Sequence, residues 1–186
     1  MSRFLAAGIA VCLALSACTG TPGAEPSPSA SATSAGTPTP SASDPAQDPL
    51  YLEAVEVYKA YLVELFKLDR AGGSETLPLE FEKYLAGSYR DSIEALYRKY
   101  KLSGEHMAPQ PTPTLKVQPL VGVGVEGSEI AIEVCVDATK VEQLGANGEV
   151  LHTGTLAHRQ LFFARQSDGS LKMMGGYGEA VDECPF

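Results

Sequence analysis

The sequence has no tryptophan, only three histidines and four cysteines, and no apolar run long enough to cross a bilayer, for which about 20 residues are needed. Each shortage excludes something. The cysteines form no C-x-x-C pair, and His106, His152 and His158 stand at none of the spacings that hold zinc. There is no H-E-x-x-H and no G-x-S-x-G, so two common hydrolase signatures are missing. Basic residues are also scarce: 14 Lys and Arg face 23 Asp and Glu, a net charge of −9 at pH 7, with no basic cluster. That balance argues against nucleic acid and against anionic lipid head groups as partners.

What is present begins at the N-terminus. Arg3 precedes the twelve-residue apolar run Phe4 to Leu15, which small residues follow. A basic start, a short apolar core and then small residues is the layout of a secretory signal peptide. Leu15-Ser16-Ala17-Cys18 resembles the lipobox of bacterial lipoproteins. The resemblance implies that residues 1–17 are removed and that the Cys18 thiol carries a diacylglycerol. The lipid would hold the protein at the extracytoplasmic face of the cell membrane. A single acyl chain binds a membrane only marginally, whereas two or more anchor it stably.

Residues 18–48 read as the lipidated cysteine and a tether. Of the thirty residues from Thr19 to Asp48, twenty-six are Ser, Thr, Pro, Ala or Gly, and none is aromatic. Such a segment cannot bury enough apolar surface to offset its ordering entropy, so disorder is expected. Cys12 leaves with the signal peptide and Cys18 is lipidated, which leaves Cys135 and Cys184 in an oxidising setting. A disulfide between them is the economical reading, with a metal site or a redox pair as alternatives.

Residues 49–186 read as a single α+β domain. Asp48-Pro49 is a helix cap followed by a proline suited to the first helical position. Tyr51, Val55, Tyr58, Leu62 and Leu65 recur at helical spacing until Gly72-Gly73. The pattern predicts a short second helix over Pro78 to Ala86, stopped by Gly87. Ser88 to Asp91 suggests a capping box for a third helix, which carries Tyr89, Ile93, Leu96, Tyr97 and Tyr100 as far as Gly104. Beyond Pro113 the period becomes 2. Four strands are predicted: Leu115–Val125, Ile130–Asp137, Thr155–Arg165 and Leu171–Tyr177, with Asn147-Gly148 in a long connection. Helices first and an antiparallel sheet afterwards predict helices packed on one sheet face.

"GVGVEG", Gly122 to Gly127, matches the dinucleotide pattern G-x-G-x-x-G letter for letter. That chemistry needs a strand ending at the glycines and a helix N-terminus to receive the pyrophosphate. Here a hairpin and another strand are predicted, so no nucleotide, cofactor or metal is expected.

Three features, "AIEVCVD" (Ala131 to Asp137), "DEC" (Asp182 to Cys184) and the lipobox with its stalk, are similar to small secreted lipoproteins of high-GC Gram-positive bacteria. The domain, from Leu50 to Cys184, resembles the nuclear transport factor 2-like (SnoaL-like, cystatin-like) α+β fold. The resemblance implies N-terminal helices on a curved four-stranded antiparallel sheet enclosing a cone. With no catalytic constellation in the residues, a non-catalytic module that binds an envelope protein partner or stabilises a complex is expected. A small apolar ligand held in the cone is the alternative. An isomerase- or cyclase-like enzyme is a third, with Asp137 or His158 as base and a tyrosine as donor. Tyr58, Tyr97, Tyr100, His158 and Phe162 are the residues expected to line the cone.

Overall fold

The computed structural model describes residues 44–186, so the expected signal peptide (residues 1–17), Cys18 and the expected tether up to residue 43 lie outside the described residues. The end of the tether differs from expectation. Pro45–Gln47 form one 3-10 turn, capped by the Asp44 carboxylate, and Ala46 packs against the core.

Helix α1 (Pro49–Arg70) starts as its sequence requires. The Asp48 carboxylate accepts hydrogen bonds from the Leu50 and Tyr51 amides at 2.7 and 3.4 Å, and Pro49 occupies the first turn, where its missing N–H costs nothing. Beyond Ala71 the chain turns through Gly72 and Gly73, with φ of 71° and 80°. A side chain at Gly73 would fall on the carbonyl oxygen of Tyr97, so this turn fixes how closely α1 and the third helix approach.

The second helix is shorter than its pattern suggests. Helix α2 spans only Leu79–Glu82. The next residues pair with the sheet edge instead: the Met173 amide donates to the Tyr84 carbonyl and the Ala86 amide to the Met173 carbonyl. Gly87 does not stop a helix; it opens α3 (Gly87–Ser103) with φ 55°. The capping box does not form. Ala86 holds the cap position without a side-chain bond, and Asp91 meets Arg90.

Seven strands follow: β1 (His106–Met107), β2 (Thr114–Pro119), β3 (Ile130–Asp137), β4 (Glu142–Leu144), β5 (Val150–Thr153), β6 (Leu156–Arg165) and β7 (Leu171–Ala180). They form two antiparallel sheets among the described residues, a four-stranded one in the order β2-β3-β6-β7 and a three-stranded one in the order β1-β4-β5. The smaller sheet is an addition to the expected plan; Asn147-Gly148 turns β4 into β5 rather than lying in an open connection. The first predicted strand also stops early. Pro119 ends β2, and Val121 and Val123 are exposed in a loop that carries the "GVGVEG" segment. That loop leads into β3, so no helix follows the glycines.

Register sets which residues face the helices, because successive side chains alternate across a strand. Val117 pairs with Val134, and Ile132 with Leu161. These residues join Val136, Phe163, Leu171 and Met173 on the inner face, against Tyr51, Ala54, Tyr58, Tyr61 and Leu62 of α1. Aromatic rings continue the core between helices. Tyr61 stacks on Phe81 with centroids 5.0 Å apart, and Phe81 meets Tyr97 edge-on at 5.8 Å. Such pairs add about 0.5–1.5 kcal/mol each beyond their buried area. The class is α+β, with open sheets and the helices on one face.

The outer face of the four-stranded sheet carries the odd-numbered residues of β3. Cys135 is buried there and bonded to Cys184, with alpha carbons 6.0 Å apart, inside the range a disulfide spans. The C-terminal segment thereby lies over that face.

Candidate functional site

A cleft of about 310 Å³ opens where α1, the inner face of the large sheet and the small sheet meet. Its apolar wall is built by Leu62, Leu65, Phe66, Met107, Val136 and Val141. The first three come from α1 and continue its core stripe. Met107 and Val141 belong to the segment around the small sheet, and both are buried.

Its polar groups are Tyr58, Asp69, Tyr100, Gln143, His152 and Arg159. Tyr58, Leu62, Leu65 and Asp69 follow one another at steps of four, three and four, so α1 presents them on one side. Asp69 is thus a carboxylate on an apolar stripe. The Tyr97 hydroxyl donates to Asp69 Oδ1 at 2.6 Å, tying α3 to α1. Burial raises the Asp69 pKa above the usual carboxylate value, while the Tyr97 hydroxyl and the Arg159 and Arg70 guanidinium groups pull it back. Burial pushes Tyr58 up to about 12 and also raises Tyr97 and Tyr100, both of which the Asp69 charge raises further. Their hydroxyls stay protonated at neutral pH and can donate or accept.

Arg159 enters the cleft from β6, one position from the strand partner of Cys135. Its side chain is exposed at the mouth, and among the described residues its guanidinium has no hydrogen-bond or ion-pair partner. The other charged groups of the site already have company: Asp69 has Tyr97. An arginine without a partner, beside apolar walls and protonated hydroxyls, can take an acceptor from outside.

The five residues expected to line a cone divide between the two faces. Tyr58 and Tyr100 line the cleft, and Tyr97 lies buried behind them holding Asp69. His158 and Phe162 do not line it. In β6 the inward positions fall to Ala157, Arg159 and Leu161, so both residues point to the outer face. There His158 Nε2 lies 2.9 Å from Glu133 Oε2, and Glu133 Oε1 accepts from Gln118 Nε2 at 2.6 Å. The Phe186 ring covers the imidazole edge-on at 6.1 Å. Phe162 is buried beneath Tyr177, with centroids 5.6 Å apart. Asp137 is also away from the cleft, exposed at the end of β3, and the Thr139 hydroxyl and amide hold its pKa down. Neither base named for an isomerase-like reaction therefore meets a cleft tyrosine. Asp69 and Arg159 are not among the expected residues, although the phase of the flanking apolar residues marks both.

No family model matches the chain, and no curated protein matches it. Among solved structures, the solution NMR structure of a de novo β-sheet design protein is 16% identical, covers 73% of this chain and 97% of its own, and superposes with a TM-score of 0.38. The soluble domain of TrwG, from the type IV secretion machinery of Bartonella grahamii, is 14% identical, covers 69% and 96% respectively, and gives a TM-score of 0.34.

Proposed function

We propose that the protein is a lipid-anchored envelope protein whose domain holds a small, largely apolar ligand in the cleft between α1 and the sheets. The observation that carries this reading is the cleft itself: about 310 Å³, walled by apolar side chains, with a few convergent polar groups. Binding sites for small molecules have this composition, and the volume lies at the small end of their range. Cys18 supplies the anchor and the Pro/Ser/Thr/Ala-rich segment the tether in this reading. Helices on one face of a four-stranded antiparallel sheet, with the cleft at their junction, support a nuclear transport factor 2-like domain.

The test uses the chain from Thr19 to Phe186 and a neutral probe, 1-octanol, followed by amide chemical shifts. Saturable shifts at Leu62, Leu65 and Val141 are expected. Leu65→Trp, which fills the cleft, should abolish them while leaving the fold unchanged. Shifts scattered over the surface, or none, would overturn the reading.

The partner-binding alternative has one observation in its favour, the apolar loop after β2, where Val121 is 67% exposed. A photo-crosslinker at position 121 in intact envelopes tests it. One discrete adduct is expected if the loop docks a protein, and none if it does not. The outer sheet face offers little: among its strands only Tyr177 is a large exposed apolar residue.

A further inference from the structure

We infer that the ligand is an anionic amphiphile, seated with its carboxylate on the Arg159 guanidinium at the mouth and its apolar body against Leu62, Leu65, Met107 and Val141 within. This rests on the cleft being a ligand site.

Four observations lead to it. First, Arg159 lines the cleft and lacks a partner among the described residues, although the chain carries an excess of acidic groups. A guanidinium offers five donors in a planar fork that matches two carboxylate oxygens, and this pairing is stronger than a neutral hydrogen bond. Second, Asp69, the carboxylate that lines the cleft, accepts from Tyr97 and makes no ion pair with Arg159; burial disfavours its charged form, although the Arg159 charge partly offsets this. Third, a cationic head is excluded by the same geometry, since it would sit beside Arg159 while Asp69 is already engaged. Fourth, polarity is graded. Arg159 is exposed, whereas Met107 and Val141 are buried, so a head in water and a body inside match the gradient.

The volume limits the ligand. At about 310 Å³ the cleft lies at the small end of the range for small-molecule sites, so a short-chain amphiphile of about ten non-hydrogen atoms suits it. Octanoate is of that size, and 1-octanol is its neutral counterpart. Octyl phosphate offers the same fork a different oxyanion.

The experiment titrates the chain from Thr19 to Phe186 with octanoate, 1-octanol and octyl phosphate at pH 7, with Kd from calorimetry and the site from amide shifts. Octanoate should bind about tenfold tighter than 1-octanol. Arg159→Gln should remove that ratio by weakening octanoate about tenfold while changing 1-octanol less than twofold. Arg159→Lys, a point charge without the fork, should recover part of it. Octyl phosphate binding tenfold tighter than octanoate would replace the carboxylate with a phosphate head and overturn the assignment. Equal affinities for octanoate and 1-octanol in the unaltered protein would also overturn it, while leaving the cleft a ligand site. Failure of all three probes to shift Leu62 and Val141 would remove both readings together.

Discussion

The Tyr97 hydroxyl, on α3, reaches across to the Asp69 carboxylate at the end of α1, 2.6 Å away. The ring is buried and packs edge-on to both Phe81 and Tyr100. One hydrogen bond therefore holds together the two helices that flank the cleft and satisfies the charge on the apolar stripe. Removing one partner of this part-buried bond costs more than the bond contributes, because the other is left partly desolvated and unpaired. Tyr97→Phe should lower stability by about 1–3 kcal/mol. In a double-mutant cycle the penalty should shrink when Asp69 is already Ala, which has no side-chain acceptor; an unchanged penalty would mean that lost packing, not the bond, is responsible.

Asp69 also gives stability a pH dependence of a definite sign. Its folded pKa is raised by burial, so the native state holds this proton more tightly than the unfolded chain, where a carboxyl titrates near about 3.9. The stabilisation from protonated Asp69 is complete below that value and disappears as pH rises through the folded pKa. The exposed Asp137 and Asp168 have lowered pKa values and act in the opposite direction, so whole-protein curves mix the two. The difference between the unaltered protein and Asp69→Asn isolates the site. Urea unfolding from pH 4 to pH 8 should show the unaltered protein losing stability relative to Asp69→Asn as pH rises; a flat or rising difference would refute the assignment.

Much of this architecture is legible in the chain because it rests on local chemistry. Asp48-Pro49 is a cap wherever a helix follows, and the alternation from Ile130 to Asp137 tells which side of β3 faces the helices. Helix α2 is shorter than its local pattern because Tyr84 and Ala86 pair with Met173, a partner distant in sequence that no local pattern announces. The small sheet is not legible in the sequence because β1, β4 and β5 are two to four residues long, too short for periodicity to register. Asn147-Gly148 is nevertheless a strong hairpin signal, and it is the turn that joins β4 to β5. The site itself was half legible. Tyr58 and Tyr100 follow from their helix stripes, whereas His158 attracted attention as a lone imidazole when strand phase points Arg159 inward instead.

The proposed anchor rests on the resemblance of Leu15-Ser16-Ala17-Cys18 to a lipobox. Only a thiol at position 18 can accept the diacylglycerol, so Cys18→Ala should give an unlipidated, uncleaved protein. Metabolic labelling with a fatty acid is expected to tag the unaltered chain and to leave Cys18→Ala unlabelled. Label retained on the substituted protein would place the anchor elsewhere.

The Cys135–Cys184 disulfide joins the outer sheet face to the C-terminal segment. Cys135 sits on that face, opposite the side that packs on α1, and Cys184 lies beyond the end of β7, with the two alpha carbons 6.0 Å apart. Around the bond, Phe186 covers His158, and Lys116 Nζ donates to the Phe186 carbonyl at 3.4 Å. These contacts are few and partly exposed, so the covalent link contributes most of what holds the segment over the Glu133–His158 pair. In the chain-entropy account, closing a loop across a separation of 49 residues is worth about 4 kcal/mol at most, and native disulfides typically give about 2–4 kcal/mol. Reduction, or paired Cys135→Ala and Cys184→Ala, should lower the urea midpoint accordingly. Hydrogen exchange should rise first in residues after β7 and then at the β6–β7 edge. The cleft lies on the opposite face, so probe binding there should survive reduction at temperatures where the domain stays folded. Two titratable thiols in the unreduced chain from Thr19 to Phe186 would show that the bond does not form, and loss of cleft binding before unfolding would show that the two faces are coupled.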